Sequence, residues 1–269
     1  MGLKALLGSL LLLTLVSSSH ADTPITLHVD ARESSRSLLH VQEIVPVKPG
    51  VVALAYPKWI PGEHAPTGPN IEVAGLIVTA NDKRLAWRRD DIDMNVVRVT
   101  VPAGVSQLEV RFDFLLTTST SGYSSAASST AHLLLLSWNQ VVMYPAGAPS
   151  DRVSVNASVA LPEGWTYGTA LHVRDTKGET LFFDTVSLTT LVDSPVLAGE
   201  WFRRIDLTPA EGPSYSLDLA CDGPEGLRVP DSVIAVYRHL PAEAHAWFGG
   251  WHHGPYHFLV TLSDHTAHF

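Results

Sequence analysis

From Ile25 to about Ala220 this chain repeats with a period of two, and that period excludes most folds. Ile25, Leu27 and Val29 alternate with Thr26 and His28, and Leu108, Val110, Phe112 and Phe114 alternate with charged residues. Val97–Val101, Val153–Val159 and Tyr215–Leu219 do the same. Alternation puts apolar side chains on one face of a strand and polar ones on the other, as in antiparallel sheets packed on one side. The continuous apolar runs Val51–Tyr56 and Leu133–Leu136 read instead as central strands covered on both faces. Turn-forming clusters such as Lys48-Pro49-Gly50, Asn81-Asp82, Pro162-Glu163-Gly164 and Lys177-Gly178 separate the runs. About ten short strands at this spacing predict a mainly β chain built as an antiparallel β-sandwich.

Two segments break the rhythm. Residues Thr117 to Thr130 are mostly Ser, Thr, Ala and Gly, which reads as a mobile surface loop. Between Pro230 and Phe248, Val233, Ile234, Val236, Tyr237, Leu240, Ala244, Trp247 and Phe248 fall at three- and four-residue spacing, an amphipathic helix. Asp231 is the expected N-cap, Gly249 the stop, and Pro241 should kink the helix or divide it. One apolar strand follows between His257 and Ser263. The change of pattern predicts a boundary near 221–230, giving a β-sandwich over 22–222 and a second unit over 223–269.

The first 21 residues read as an export signal. Lys4 supplies the positive end, Leu6 to Val16 the apolar run, and Ser19-His20-Ala21 the small-x-small exit. The expected location is therefore the bacterial periplasm or outside the cell, with no membrane attachment after cleavage. With 27 acidic against 18 basic residues, nucleic acid is not an expected partner. Cys221 is the only cysteine, so an intrachain disulfide is impossible and the fold must rest on its core.

Several chemistries are excluded by inspection. The chain has no G-x-S-x-G elbow, no Gly-rich phosphate loop and no H-E-x-x-H zinc helix. Six histidines fall after residue 244, but His252 and His253 are neighbours and should face opposite ways on a strand. On spacing they make a poor metal site, and packing of imidazoles and aromatic rings is the simpler account. Tyr56-Pro57-Lys58-Trp59-Ile60-Pro61-Gly62 is rigid through its prolines and presents Trp59 in one direction, either as a binding platform or as a packing plug. Asp193 and Ser194 ahead of Pro195 could turn the chain, or Asp193 could face a cleft with the next unit.

Four of these segments carry a resemblance in order along the chain. They are Tyr56-Pro-x-Trp59-x-Pro61-Gly62, Asn139 to Gly147, Leu191-Val-Asp193-Ser194-Pro195-Val-x-Ala-Gly199, and Phe248-Gly-x-x-His252-x-x-x-Tyr256-x-Phe258 running on to Asp264. Together they resemble the glycyl aminopeptidase family of zinc metallopeptidases. The resemblance implies an N-terminal β-domain, then a thermolysin-like α+β catalytic domain whose zinc sits on a His-Glu-x-x-His helix. It implies that this sequence stops before that helix, holding only the first helix and strand of the catalytic domain. No residue present then inherits a metal-binding or catalytic role, and the chain alone should hold no zinc and cleave nothing. Trp59, Asp193 and Ser194 become candidate substrate-binding residues. The implied partners are peptide substrates with small N-terminal residues, glycine preferred, and the remainder of the catalytic domain. The competing reading is a free-standing secreted β-sandwich that binds carbohydrate or peptide through Trp59 and the Thr117–Thr130 loop.

Overall fold

The computed structural model describes residues 23–59, 65–116, 128–251 and 254–266. The expected export signal, most of the Thr117–Thr130 loop, His252, His253 and residues 60–62 of the Trp59 segment lie outside these ranges.

Each alternating run forms a strand, and together they build a nine-stranded sheet. Its middle is Ser154–Ala160, Ile25–Asp30, Leu38–Pro46, Gln107–Leu115 and Val73–Ala80 in that order. Pairing is antiparallel except between Ile25–Asp30 and Ser154–Ala160, which run parallel. Gln107–Leu115 shows why the period matters, since Leu108, Val110, Phe112 and Phe114 are all buried while Arg111 is exposed. Two four-stranded sheets lie against this layer. One orders Thr166–Gly168, Val196–Gly199, Leu133–Leu136 and Ser128–Ser129, and the other Tyr144–Pro145, Gly50–Ala55, Val96–Val101 and Trp87–Arg89. Side chains from all three sheets meet in one apolar core, where Trp138 stands edge-on to Phe183 at 5.8 Å. Burying a side chain of that size contributes about 1.5–3 kcal/mol.

A second, smaller unit follows without a linker. Trp201–Asp206, Tyr215–Cys221 and Tyr256–Leu262 form a three-stranded sheet, the last pair parallel. The helix Asp231–Phe248 crosses over and packs Ile234 and Tyr237 against Leu217, Leu219 and Phe258. A small apolar cluster of Leu133, Leu197 and Ala220 joins this unit to the sandwich.

The structure revises several expectations. Tyr215–Cys221 and Tyr256–Leu262 are hydrogen-bonded neighbours, so a boundary at 222/223 would cut through a sheet. The break lies at Glu200 instead, because sequence grammar registers the change from strand to helix and not the change of sheet. The helix runs unbroken through the buried Pro241, whose φ suits a helix even though its missing N–H costs one bond. Pro230 holds the N-cap position, with Asp231 as the first helical residue, while Gly249 ends the helix left-handed at φ 74°. Ser128 and Ser129 form a buried strand, not surface loop. Gly50–Ala55 is central in its sheet but covered on one face only, since Val51 is 70% exposed.

Candidate functional site

Three of the four resemblance-carrying segments converge on one buried turn, Trp138–Gln140. The Tyr56 hydroxyl donates to the Gln140 carbonyl at 2.9 Å, and the Trp138 indole N–H donates to the Ser194 carbonyl at 3.0 Å. Three residues past Gln140, the Met143 N–H donates to both carboxylate oxygens of Glu43, at 2.9 and 3.1 Å. Glu43 is fully buried, and that burial raises its pKa well above the usual carboxylate value despite the Met143 hydrogen bond. Burial likewise raises the Tyr56 phenol, with a smaller push from the Glu72 charge.

This anchor sets Trp59 and Asp193, but not Ser194, at the surface. Trp59, three residues beyond Tyr56, is 63% exposed. Its neighbour Lys58 is fixed by Asp93 at 2.5 Å and by the Gly68 N–H on its carbonyl at 3.0 Å. Gly68 has to be glycine there, because a Cβ would stand 1.9 Å from the Pro57 carbonyl oxygen. Asp193 ends the short helix Leu188–Val192, which Ser187 caps by accepting from the Thr190 N–H. Ser194 is buried and its hydroxyl donates to the Thr190 carbonyl at 2.8 Å, so it serves the turn. Among the described residues no hydrogen bond or ring contact links Trp59 to Asp193; they share the Trp138–Gln140 anchor and no closer contact.

Sequence reasoning missed a second polar cluster, centred on Asp218. The strand Tyr215–Cys221 alternates as if one face met water, yet every residue in it is buried. Asp218 is fully buried and takes Arg204 Nε at 2.5 Å, Arg204 Nη2 at 3.0 Å and His257 Nδ1 at 2.6 Å. Ser216 Oγ lies 2.9 Å from the same imidazole nitrogen. Burial works to raise the Asp218 pKa, but hydrogen bonds from His257 and Arg204 outweigh it and hold the carboxyl below its usual range. Arg204 also donates to the Tyr167 carbonyl at 3.2 Å, tying the second unit to the sandwich strand Thr166–Gly168. Gly168 makes room, since a Cβ there would stand 2.2 Å from an Asp218 oxygen. The signal was present in the sequence as a lone acid inside an apolar strand, but its partners lie 14 and 39 residues away.

The contact of His257 Nδ1 with Asp218 fixes the orientation of the imidazole ring. It has no metal site to serve: among the described residues no three His, Cys, Asp or Glu side chains converge to hold a metal ion. The described part of the chain therefore does not fit a zinc centre. Of the late histidines, His245 stacks on Trp251 at 4.3 Å, in line with the packing reading. Cys221 is buried, its thiol raised first by burial and donating to the Gly223 carbonyl at 3.0 Å. A polar groove of about 450 Å³ runs between the units, lined by Ser37, Ser129 and Thr130 on one side and Asp264 and His265 on the other.

No match was found among curated proteins. Among solved structures, the chain is similar to an aminopeptidase N family protein from Idiomarina loihiensis, with a TM-score of 0.71 at 16% identity, covering 88% of this chain and 39% of that one. An M1 zinc metallopeptidase from Deinococcus radiodurans matches at a TM-score of 0.51 and 15% identity, over 87% of this chain and 55% of its own. A mutant form of that enzyme, bound to a Tyr-Ser-Ala substrate, gives a TM-score of 0.51 at 16% identity. At these identities the likeness establishes the fold, and the chain spans well under two thirds of either relative. The family profile described as the peptidase M61 N-terminal domain matches residues 26–200, ending where the sandwich ends. Since that stretch covers more than half of its residues, the chain belongs to the peptidase M61 N-terminal domain family.

Proposed function

We propose that this chain is the N-terminal β-domain of an exported zinc aminopeptidase that releases small N-terminal residues from peptides, glycine preferred. In this reading residues 201–266 begin a thermolysin-like catalytic unit, and the zinc ligands and general base come from other parts of the enzyme. Family membership over 26–200 is the observation that carries the reading. The zinc and the Tyr-Ser-Ala substrate named for the Deinococcus enzymes support the metal and the substrate class. A free-standing sandwich would close near Ala220, whereas the strand ending there pairs onward with Tyr256–Leu262.

The helix adds support. Its inner stripe packs on the sheet, but Val233, Val236, Leu240 and Trp247 form a second apolar stripe that is exposed. A helix apolar on two sides belongs in the interior of a larger unit. Within that enzyme Trp59 and Asp193 would flank the approach to the cleft, held at their positions by the Trp138–Gln140 turn. The test compares the 269-residue chain with the product of the complete gene on glycyl-p-nitroanilide, with and without a chelator. The complete product should release glycine in a chelator-sensitive way, and the 269-residue chain should release none. Chelator-sensitive release by the shorter chain, or no aminopeptidase activity in the complete product, overturns the proposal.

A further inference from the structure

We propose that a groove at the far end of the sandwich binds a linear aliphatic carboxylate of the fatty-acid type, separately from any peptidase role. The groove holds about 630 Å³, within the roughly 300–1,000 Å³ of small-molecule sites. Ile25, Val47, Val52 and Val153 give it apolar walls. Pro46, Pro49, Pro145 and Pro149 also line it and stiffen it, because each fixes its own φ.

Charge selects the head group. Lys48 and Arg152 both line the groove, and no acidic side chain does. Six of the chain's 13 arginines sit against a carboxylate, for instance Arg32 on Asp30, Arg98 on Asp90 and Arg204 on Asp218. Neither Lys48 nor Arg152 has a carboxylate within ion-pair distance among the described residues. Two uncompensated cations beside an apolar trough match one anionic head on an apolar tail.

Backbone chemistry selects the tail. An extended peptide would need free N–H and C=O groups along the wall to pair with. The prolines offer no N–H, and several of the other backbone donors here are taken. Val47 N–H donates to Ser106, Ala148 N–H to Pro145 and Arg152 N–H to Pro149. A hydrocarbon chain asks for none of these bonds and gains about 0.8 kcal/mol per buried CH₂.

The probe is dodecanoate below its micelle concentration, titrated into the 269-residue chain by calorimetry. We expect saturable binding of one dodecanoate per chain, with dodecanol at least tenfold weaker. The Lys48→Ala/Arg152→Ala double variant should lose at least tenfold in affinity while its far-UV spectrum and Tm stay unchanged. Arg152→Lys should stay within about threefold of the parent, since it keeps the charge. Equal affinity for dodecanol, an unaffected double variant, or tighter binding of an acetylated tetraglutamate peptide would each overturn the proposal.

Discussion

Glu43 and Asp218 are both fully buried carboxylates, yet pH acts on the fold through them in opposite directions. Glu43 sits in an apolar core with a single N–H for company, so burial raises its pKa. Its contribution is complete below the ordinary carboxylate range and is lost as pH rises toward its folded value, at about 1.4 kcal/mol per pH unit. Asp218 is held low by His257 and Arg204 against the pull of burial, so its contribution is present at neutral pH and lost as pH falls through the folded value. Urea unfolding from pH 4 to 8 should therefore show stability falling above the carboxylate range in the parent, and a flatter profile in Glu43→Gln. A parent and variant with parallel profiles would remove this role for Glu43. Neither residue's fate could be read from the alternation around it. A period of two says which residues share a face, but not what comes to cover that face. Glu43 alternates as a surface residue should, and so does Asp218; the covering groups arrive from Met143, Arg204 and His257.

At the scale of elements, the sequence was most legible where one physical rule acted alone. The strands from Ile25 to Val159 follow their alternation closely, and Gly249 ends the long helix as its freedom at positive φ allows. Rules failed where tertiary packing overrode them, as when a buried Pro241 sits inside an unbroken helix. Short strands such as Lys83–Leu85 and Thr166–Gly168 are too brief to show any period and exist because a neighbour pairs with them. The Trp138–Gln140 turn holds the candidate-site segments together, and its weight can be measured. Trp138→Phe keeps most of the ring and its edge-on contact with Phe183 but deletes the donor to the Ser194 carbonyl. That carbonyl would keep only the Thr169 hydroxyl at 3.5 Å. A loss of about 1–3 kcal/mol follows from leaving it poorly satisfied, measurable as a shift in urea midpoint at constant m. An unchanged midpoint would show that the turn does not depend on this bond.

For the whole molecule, the imbalance lies in the second unit. The sandwich encloses its own core, while the helix Asp231–Phe248 leaves Val236 62% exposed, Trp247 85% and Phe248 72%. Trp251 and Phe258, by contrast, are partly covered by Tyr215, His245 and Tyr237. A contiguous apolar surface of this kind promotes association. The 269-residue chain should thus self-associate as its concentration rises in sedimentation velocity, and Trp247→Glu combined with Val236→Glu should return it to a monomer. A parent that stays monomeric throughout would mean that the stripe is less adhesive than its composition suggests.

Along the chain, Glu200 alone separates the sandwich strand Val196–Gly199 from the strand Trp201–Asp206 of the second unit. A joint one residue long has no slack, and it fixes phase as well as distance. Because successive strand residues face opposite ways, inserting a single amino acid there would invert the whole of Trp201–Asp206. Ile205 would turn out to solvent and Arg204 would swing away from Asp218. The coupling between the two units is thus digital: the chain keeps the right parity at Glu200, or the buried carboxylate loses its cation.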